Sequence, residues 1–178
     1  MADTGVPMLA VLWPGFVLLL IPIVIVEAAW ARRQLALKWK PAIRLAAKAN
    51  AISTAAGIPL AWVGMSVIGP AGHYLLIAVG LISSSENPPI VEHLLDTTLM
   101  AAWIRKGPTW YLPAATASLL VPSYFVSVWI EARVARASLP EGLRHRAWLW
   151  SWQANLLTYV PILLGLVTMA CVLKFSQP

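Results

Sequence analysis

The chain has 178 residues, of which 60% are hydrophobic and 11% charged, with a mean hydropathy of +0.74. Soluble domains carry about 25% charged residues, so this composition excludes an ordinary water-soluble globule and predicts a bilayer as the main solvent. The formal net charge of +6 does not point to nucleic acid, because the cations flank apolar runs, where anionic lipid headgroups are the matching partner.

The first segment, Met1–Gly5, lacks the basic start of a secretory signal. The apolar run that follows is longer than a signal's hydrophobic region, and its positive charge comes after it. It therefore predicts an uncleaved first span over Met8–Trp30. Glu27 stands at its inner end. Arg32, Arg33, Lys38, Lys40, Arg44 and Lys48 follow, and a second span is expected over Leu45–Ile68.

Between residues 69 and 109 the chain is too apolar for a simple loop. Pro70, Ala71 and Gly72 predict a break, and His73–Ile82 is apolar but too short to cross. Ser83–Pro89 reads as a turn, and Ile90–Ile104 as an amphipathic helix. Glu92, His93 and Asp96 near its start are the nearest approach to a metal-ligand cluster. One local helix rarely completes such a site, and a solvated helix face is the simpler reading.

A third span is expected over Tyr111–Ile130 and a fourth over Ala147–Leu173, with Arg133, Arg136, Arg144 and Arg146 between them. Ten of the thirteen Lys and Arg thus lie in the two short connections. The positive-inside rule then puts both short loops in the cytoplasm and both termini outside, in a bacterial-type inner membrane. Tryptophans 30, 39, 148, 150 and 152 would form the inner aromatic belt, and 13, 103 and 110 the outer one. Cys171, alone in an apolar run, is expected to be a small buried apolar side chain.

The two halves share a pattern. Glu27 is followed by Arg32, Asn50 and Ser53. Glu131 is followed by Arg136, Asn155 and Thr158. Five residues turn a helix by about 140° net, so neither arginine shares a face with its glutamate. Arg32, Arg33, Arg133 and Arg136 are expected to reach the headgroups, and each glutamate to find its partner on the next helix. Asn50 and Ser53 lie on one face. Asn155 and Thr158 lie on another, and Tyr124, Ser127 and Glu131 on a third. This polar track makes Glu131 the expected working copy, since only apolar residues precede Glu27 on its face. The pattern of proline, glutamate, basic loop and Ala-Asn-x-x-Ser/Thr resembles small multi-spanning bacterial membrane proteins, a resemblance that implies no role for any residue.

The predicted fold is all-α and polytopic: four transmembrane helices as two hairpins related by a pseudo-two-fold axis, with an external interfacial helical cap. Residues 1–69 form the first hairpin, 70–110 the outer loop with two short interfacial helices, and 111–178 the second hairpin. Nucleotide, zinc-protease, disulfide-exchange and serine-hydrolase motifs are absent, and no cofactor is implied. The first function this suggests is a non-catalytic accessory or scaffold subunit of a larger membrane complex. The second is a small proton- or cation-coupled transporter or channel using Glu27 and Glu131. The third is a membrane metal-handling protein or enzyme with an outer-face site. Beyond the bilayer, the expected partners are other membrane subunits or further copies of the chain.

Overall fold

The computed structural model describes residues 8–63, 69–80 and 109–176, and all regular structure among them is helical. Helix α1 spans Met8–Leu35, α2 Trp39–Val63, α3 Gly69–Ala78, α4 Tyr111–Ser138 and α5 Ala147–Phe175. A 3-10 helix, Glu141–Arg146, precedes α5.

The helices extend further into the basic connections than expected. Arg32, Arg33, Arg133 and Arg136 lie on α1 and α4 rather than in loops. Alanine, arginine, glutamine and leucine, which fill these stretches, are among the best helix formers. What remains of the first connection is Ala36–Lys38, with Ala36 in the left-handed region at φ 52°. The second is Leu139 and Pro140 followed by the 3-10 helix. Pro140 disfavours helical geometry at the residue before it, and Arg144 Nε donates to the Leu139 carbonyl at 3.3 Å.

The break expected before Pro70, Ala71 and Gly72 falls at residues outside the described ones, between the end of α2 at Val63 and the start of α3 at Gly69. Pro70, Ala71 and Gly72 themselves form the opening of α3, where proline's missing N–H costs no helical bond. That helix ends at Ala78 rather than Ile82, and Gly80, at φ 71°, donates its N–H to the Ile77 carbonyl at 3.0 Å. The expected helix Ile90–Ile104, with Glu92, His93 and Asp96, lies outside the described residues.

Two of these helical stretches are long and apolar enough to cross a membrane, Leu112–Ser138 and Glu141–Phe175. In the second, only 6% of the most apolar window is buried. A soluble core helix would hide that surface. Here Leu164, Val167, Met169, Val172 and Phe175 are exposed. Cys171, expected to be buried, is exposed as well.

The chain divides into two units. One comprises residues 1–12, 59–120 and 164–178. Within it Thr116 Oγ1 donates to the Leu112 carbonyl at 2.8 Å, and the Lys174 ammonium lies 5.5 Å from the Trp110 ring. The other comprises Trp13–Ile58 and Val121–Leu163, and it holds a core of unusual make-up. Ala28, Ala31, Ala42, Ala46, Ala49, Ala135, Ala147 and Ala154 are buried there with Leu35, Leu45, Leu139 and Trp150. On α2, residues 42, 45, 46 and 49 repeat at helical spacing and make one face. Small side chains let helix backbones approach closely, which is how helices associate where lipid supplies no hydrophobic drive. Many large apolar residues of this unit face outward instead, among them Ile21, Ile25, Ile43, Phe125, Leu149 and Leu157.

Candidate functional site

Seven of the described polar residues of this second unit are buried. Glu27, on α1, has no exposed surface, and Glu131, on α4, is 1% exposed. Asn50 and Ser53 of α2 and Ser151, Asn155 and Thr158 of α5 are buried with them. The angular argument from the sequence holds: the helix turns that bury Glu27 and Glu131 leave Arg32 and Arg136 exposed.

The partners are those expected from the neighbouring helices. Asn50 Nδ2 donates to Glu27 Oε2 at 2.5 Å and to the Ala46 carbonyl at 3.0 Å. Asn155 Nδ2 donates to Glu131 Oε2 at 2.6 Å and to the Ser151 carbonyl at 3.0 Å. Each asparagine thus ties the glutamate of the preceding long helix to the carbonyl four residues back on its own.

The sequence did not reveal that the two pairs meet. Ser53, on α2, donates to Glu131 Oε1 on α4 at 3.0 Å, with the Asn50 carbonyl as a second acceptor at 3.1 Å. Thr158, which matches Ser53 in the sequence pattern, faces Glu27. Its hydroxyl donates to carbonyls of its own helix, Asn155 at 3.1 Å and Ala154 at 3.4 Å. The two carboxylates lie within electrostatic range of each other, and both act on the Tyr159 hydroxyl. Every donor to them is an uncharged amide or hydroxyl.

The acceptors are not evenly served. Both oxygens of Glu131 accept a hydrogen bond. Glu27 Oε1 is buried and has no partner, and neither has Asn155 Oδ1. Unpaired buried acceptors are uncommon, and each needs an explanation.

On the α4 face expected to carry a polar track, neither Tyr124 nor Ser127 bonds Glu131 directly. Tyr124 donates to the Trp152 carbonyl at 3.2 Å, and its ring packs edge-on against Trp152 and Tyr159 at 5.3 and 5.6 Å. Ser127 pairs with the Tyr159 hydroxyl at 2.8 Å. Tyr124, Ser127 and Tyr159 thus form one cluster beside the glutamates, both of which act on its Tyr159 hydroxyl.

Three contacts were not anticipated. Trp150, assigned to the interfacial belt, is fully buried, and its indole N–H lies 3.4 Å from the Glu27 carbonyl. It falls on the α5 face that carries Ala147, Ser151, Ala154, Asn155 and Thr158. That spacing separates it from the exposed Trp148 and Trp152, so helical phase was the usable signal. Ser151 Oγ donates to the Val128 carbonyl at 3.0 Å. Gln34 Nε2 donates to Gln153 Oε1, joining α1 to α5.

Three of the four arginines assigned to headgroups lie over tryptophan rings. Arg133 is 3.9 Å from Trp129, Arg32 is 4.3 Å from Trp39 and Arg33 is 5.7 Å from Trp30, all three arginines being exposed. Such stacks hold a guanidinium beside an amphipathic ring; Arg136 is exposed. Among the described residues no group of three His, Cys, Asp or Glu could hold a metal ion. No protein-family model, curated protein or solved structure matches this chain.

Proposed function

We propose that this chain is a multi-pass protein of a bacterial-type inner membrane that handles protons or small cations, as a small transporter or channel, through the paired Glu27 and Glu131. The reading takes α1, α2, α4 and α5 as four spans arranged as two related hairpins. Both basic connections face the cytoplasm and both termini face out.

The observation that carries the reading is the convergence of two buried carboxylates served only by neutral donors. Two hairpins can be pinned together by amides and hydroxyls alone. Placing two acids within range of one another costs desolvation and mutual repulsion, and a purely structural network recovers neither. Acids at membrane depth are costly and are kept where they bind or pass charge. Compensating positive charge must then come from a bound ion.

An accessory or scaffold role is the second reading. It is favoured by the outward apolar faces of α5, which suit another membrane subunit as well as lipid.

The test is ion flux in proteoliposomes holding a pH-sensitive dye, driven by an imposed gradient. Loss of flux in Glu27→Gln and Glu131→Gln supports the proposal. Flux equal to wild type in both variants removes it. If neither protein conducts and a membrane partner co-purifies at fixed stoichiometry, the scaffold reading takes its place.

A further inference from the structure

We infer that the site holds one proton, carried on Glu27 Oε1, with Glu131 as the fixed anion beside it. This rests on the proposed ion-handling reading and names its cargo and its carrier.

The argument is a count of donors and acceptors. Glu131 Oε2 accepts from Asn155 at 2.6 Å and Glu131 Oε1 from Ser53 at 3.0 Å. An ionised carboxylate offers only acceptors, and here both oxygens are met by a donor. Glu27 Oε2 accepts from Asn50 at 2.5 Å, while Oε1 accepts nothing. A carboxylic acid has one carbonyl oxygen and one hydroxyl, and the hydroxyl is a donor. Protonation at Oε1 removes the one unmet carboxylate acceptor, disturbs none of the three bonds already made, and leaves the new O–H to the facing Thr158 hydroxyl, which can accept while it donates to the Asn155 carbonyl. Protonation at Glu131 Oε2 would set an O–H against the Asn155 amide; at Oε1 it would turn the Ser53 hydrogen away to the Asn50 carbonyl, and in both cases Glu27 Oε1 would stay an unmet acceptor.

The same count disfavours a metal ion. A hard cation such as Ca²⁺ or Mg²⁺ takes roughly six or more oxygen ligands. The unpaired buried oxygens here are two, Glu27 Oε1 and Asn155 Oδ1, and the other carboxylate oxygens are engaged. One proton needs one donor atom and one acceptor. It also settles the charge: two carboxylates and one proton leave a single negative charge, the one that Asn155 and Ser53 are placed to hold. The titratable groups facing Glu27 are Glu131 from α4 and Tyr159 from α5. Thr158 faces it as a neutral hydroxyl, and the arginines and lysines of the connections are exposed. The asymmetry reverses the expectation from the sequence, in which Glu131 was the working copy.

A hydrophobic carbodiimide reacts with a protonated carboxyl group in an apolar setting. The experiment labels the full chain in lipid nanodiscs with such a reagent and locates the adduct by peptide mass spectrometry, with and without added Na⁺, Ca²⁺ or Mg²⁺. The expected adduct is on Glu27 and not on Glu131. It is lost in Glu27→Gln, retained in Glu131→Gln and indifferent to the cations. An adduct on Glu131, or on neither residue, overturns the assignment. Protection of Glu27 by one of the cations overturns the proton while leaving the ion-handling reading intact. The liposome flux measurement tests that reading separately, so the two failures are distinguishable.

Discussion

Replacing Asn155 with leucine takes from Glu131 Oε2 the amide that lies 2.6 Å away and leaves the Ser53 hydroxyl at Oε1. Replacing Asn50 with leucine takes from Glu27 Oε2 its amide at 2.5 Å. On contact geometry alone the second loss is the worse one, because beyond Asn50 only the facing Thr158 hydroxyl is near Glu27, and it donates to carbonyls of its own helix. Charge reverses the order. A hydrogen bond to a charged group contributes about 1.5–3 kcal/mol, and one between neutral groups about 0.5–1.5 kcal/mol. Interhelical bonds in membranes average about 0.6 kcal/mol and reach about 1.7. Both glutamates are shut off from solvent, which favours the upper part of each range. With the anion on Glu131 and the neutral acid on Glu27, Asn155→Leu should cost about 2 kcal/mol and Asn50→Leu about 1 kcal/mol. The assay is equilibrium unfolding in mixed micelles with increasing denaturing detergent, followed by far-ultraviolet circular dichroism. An Asn50→Leu loss equal to or greater than that of Asn155→Leu would refute the reasoning, since the charge would then not be confined to Glu131.

Three further outcomes are expected. Ala46→Leu adds bulk to a fully buried face of α2 where neighbouring helices are kept close by alanine, and should cost about 1–3 kcal/mol or more in the same assay. Trp150→Ala empties the largest fully buried side chain among the described residues and removes the indole contact with the Glu27 carbonyl. A loss of about 3–5 kcal/mol is expected, whereas Trp148→Ala, on the exposed side, should change stability little. Ala36→Gly relieves a left-handed alanine at the end of α1. It should raise stability by about 0.5–1 kcal/mol, the steric cost of that conformation less glycine's entropy in the unfolded chain; a loss of stability would mean that the Ala36 methyl makes a contact worth more than its strain.

The rough positions of α1, α2, α4 and α5 were readable from apolar runs, and the burial of Glu27 and Glu131 from the turn angle to Arg32 and Arg136. The same spacing placed Asn50 and Asn155 opposite them. Helix ends were less readable, because hydropathy falls at the arginines while helix propensity does not, so α1 and α4 run on to Leu35 and Ser138. Trp150 was misassigned because tryptophan type suggests an interface, whereas its phase on α5 put it in the core. The joining of the two glutamates depends on how α1 and α2 pack against α4 and α5. No periodicity along one helix carries that information, and it emerged only from the Ser53 bond to Glu131. The unmet Glu27 Oε1 is a matter of individual hydrogen bonds, which residue types alone do not rank.

The most direct measurement is the infrared spectrum of the protein in lipid at neutral pH, taken for wild type, Glu27→Gln and Glu131→Gln. The account predicts a carbonyl band from a buried neutral carboxylic acid that disappears in Glu27→Gln and persists in Glu131→Gln. A band that survives Glu27→Gln and vanishes in Glu131→Gln, or no such band in the wild-type protein, would contradict it.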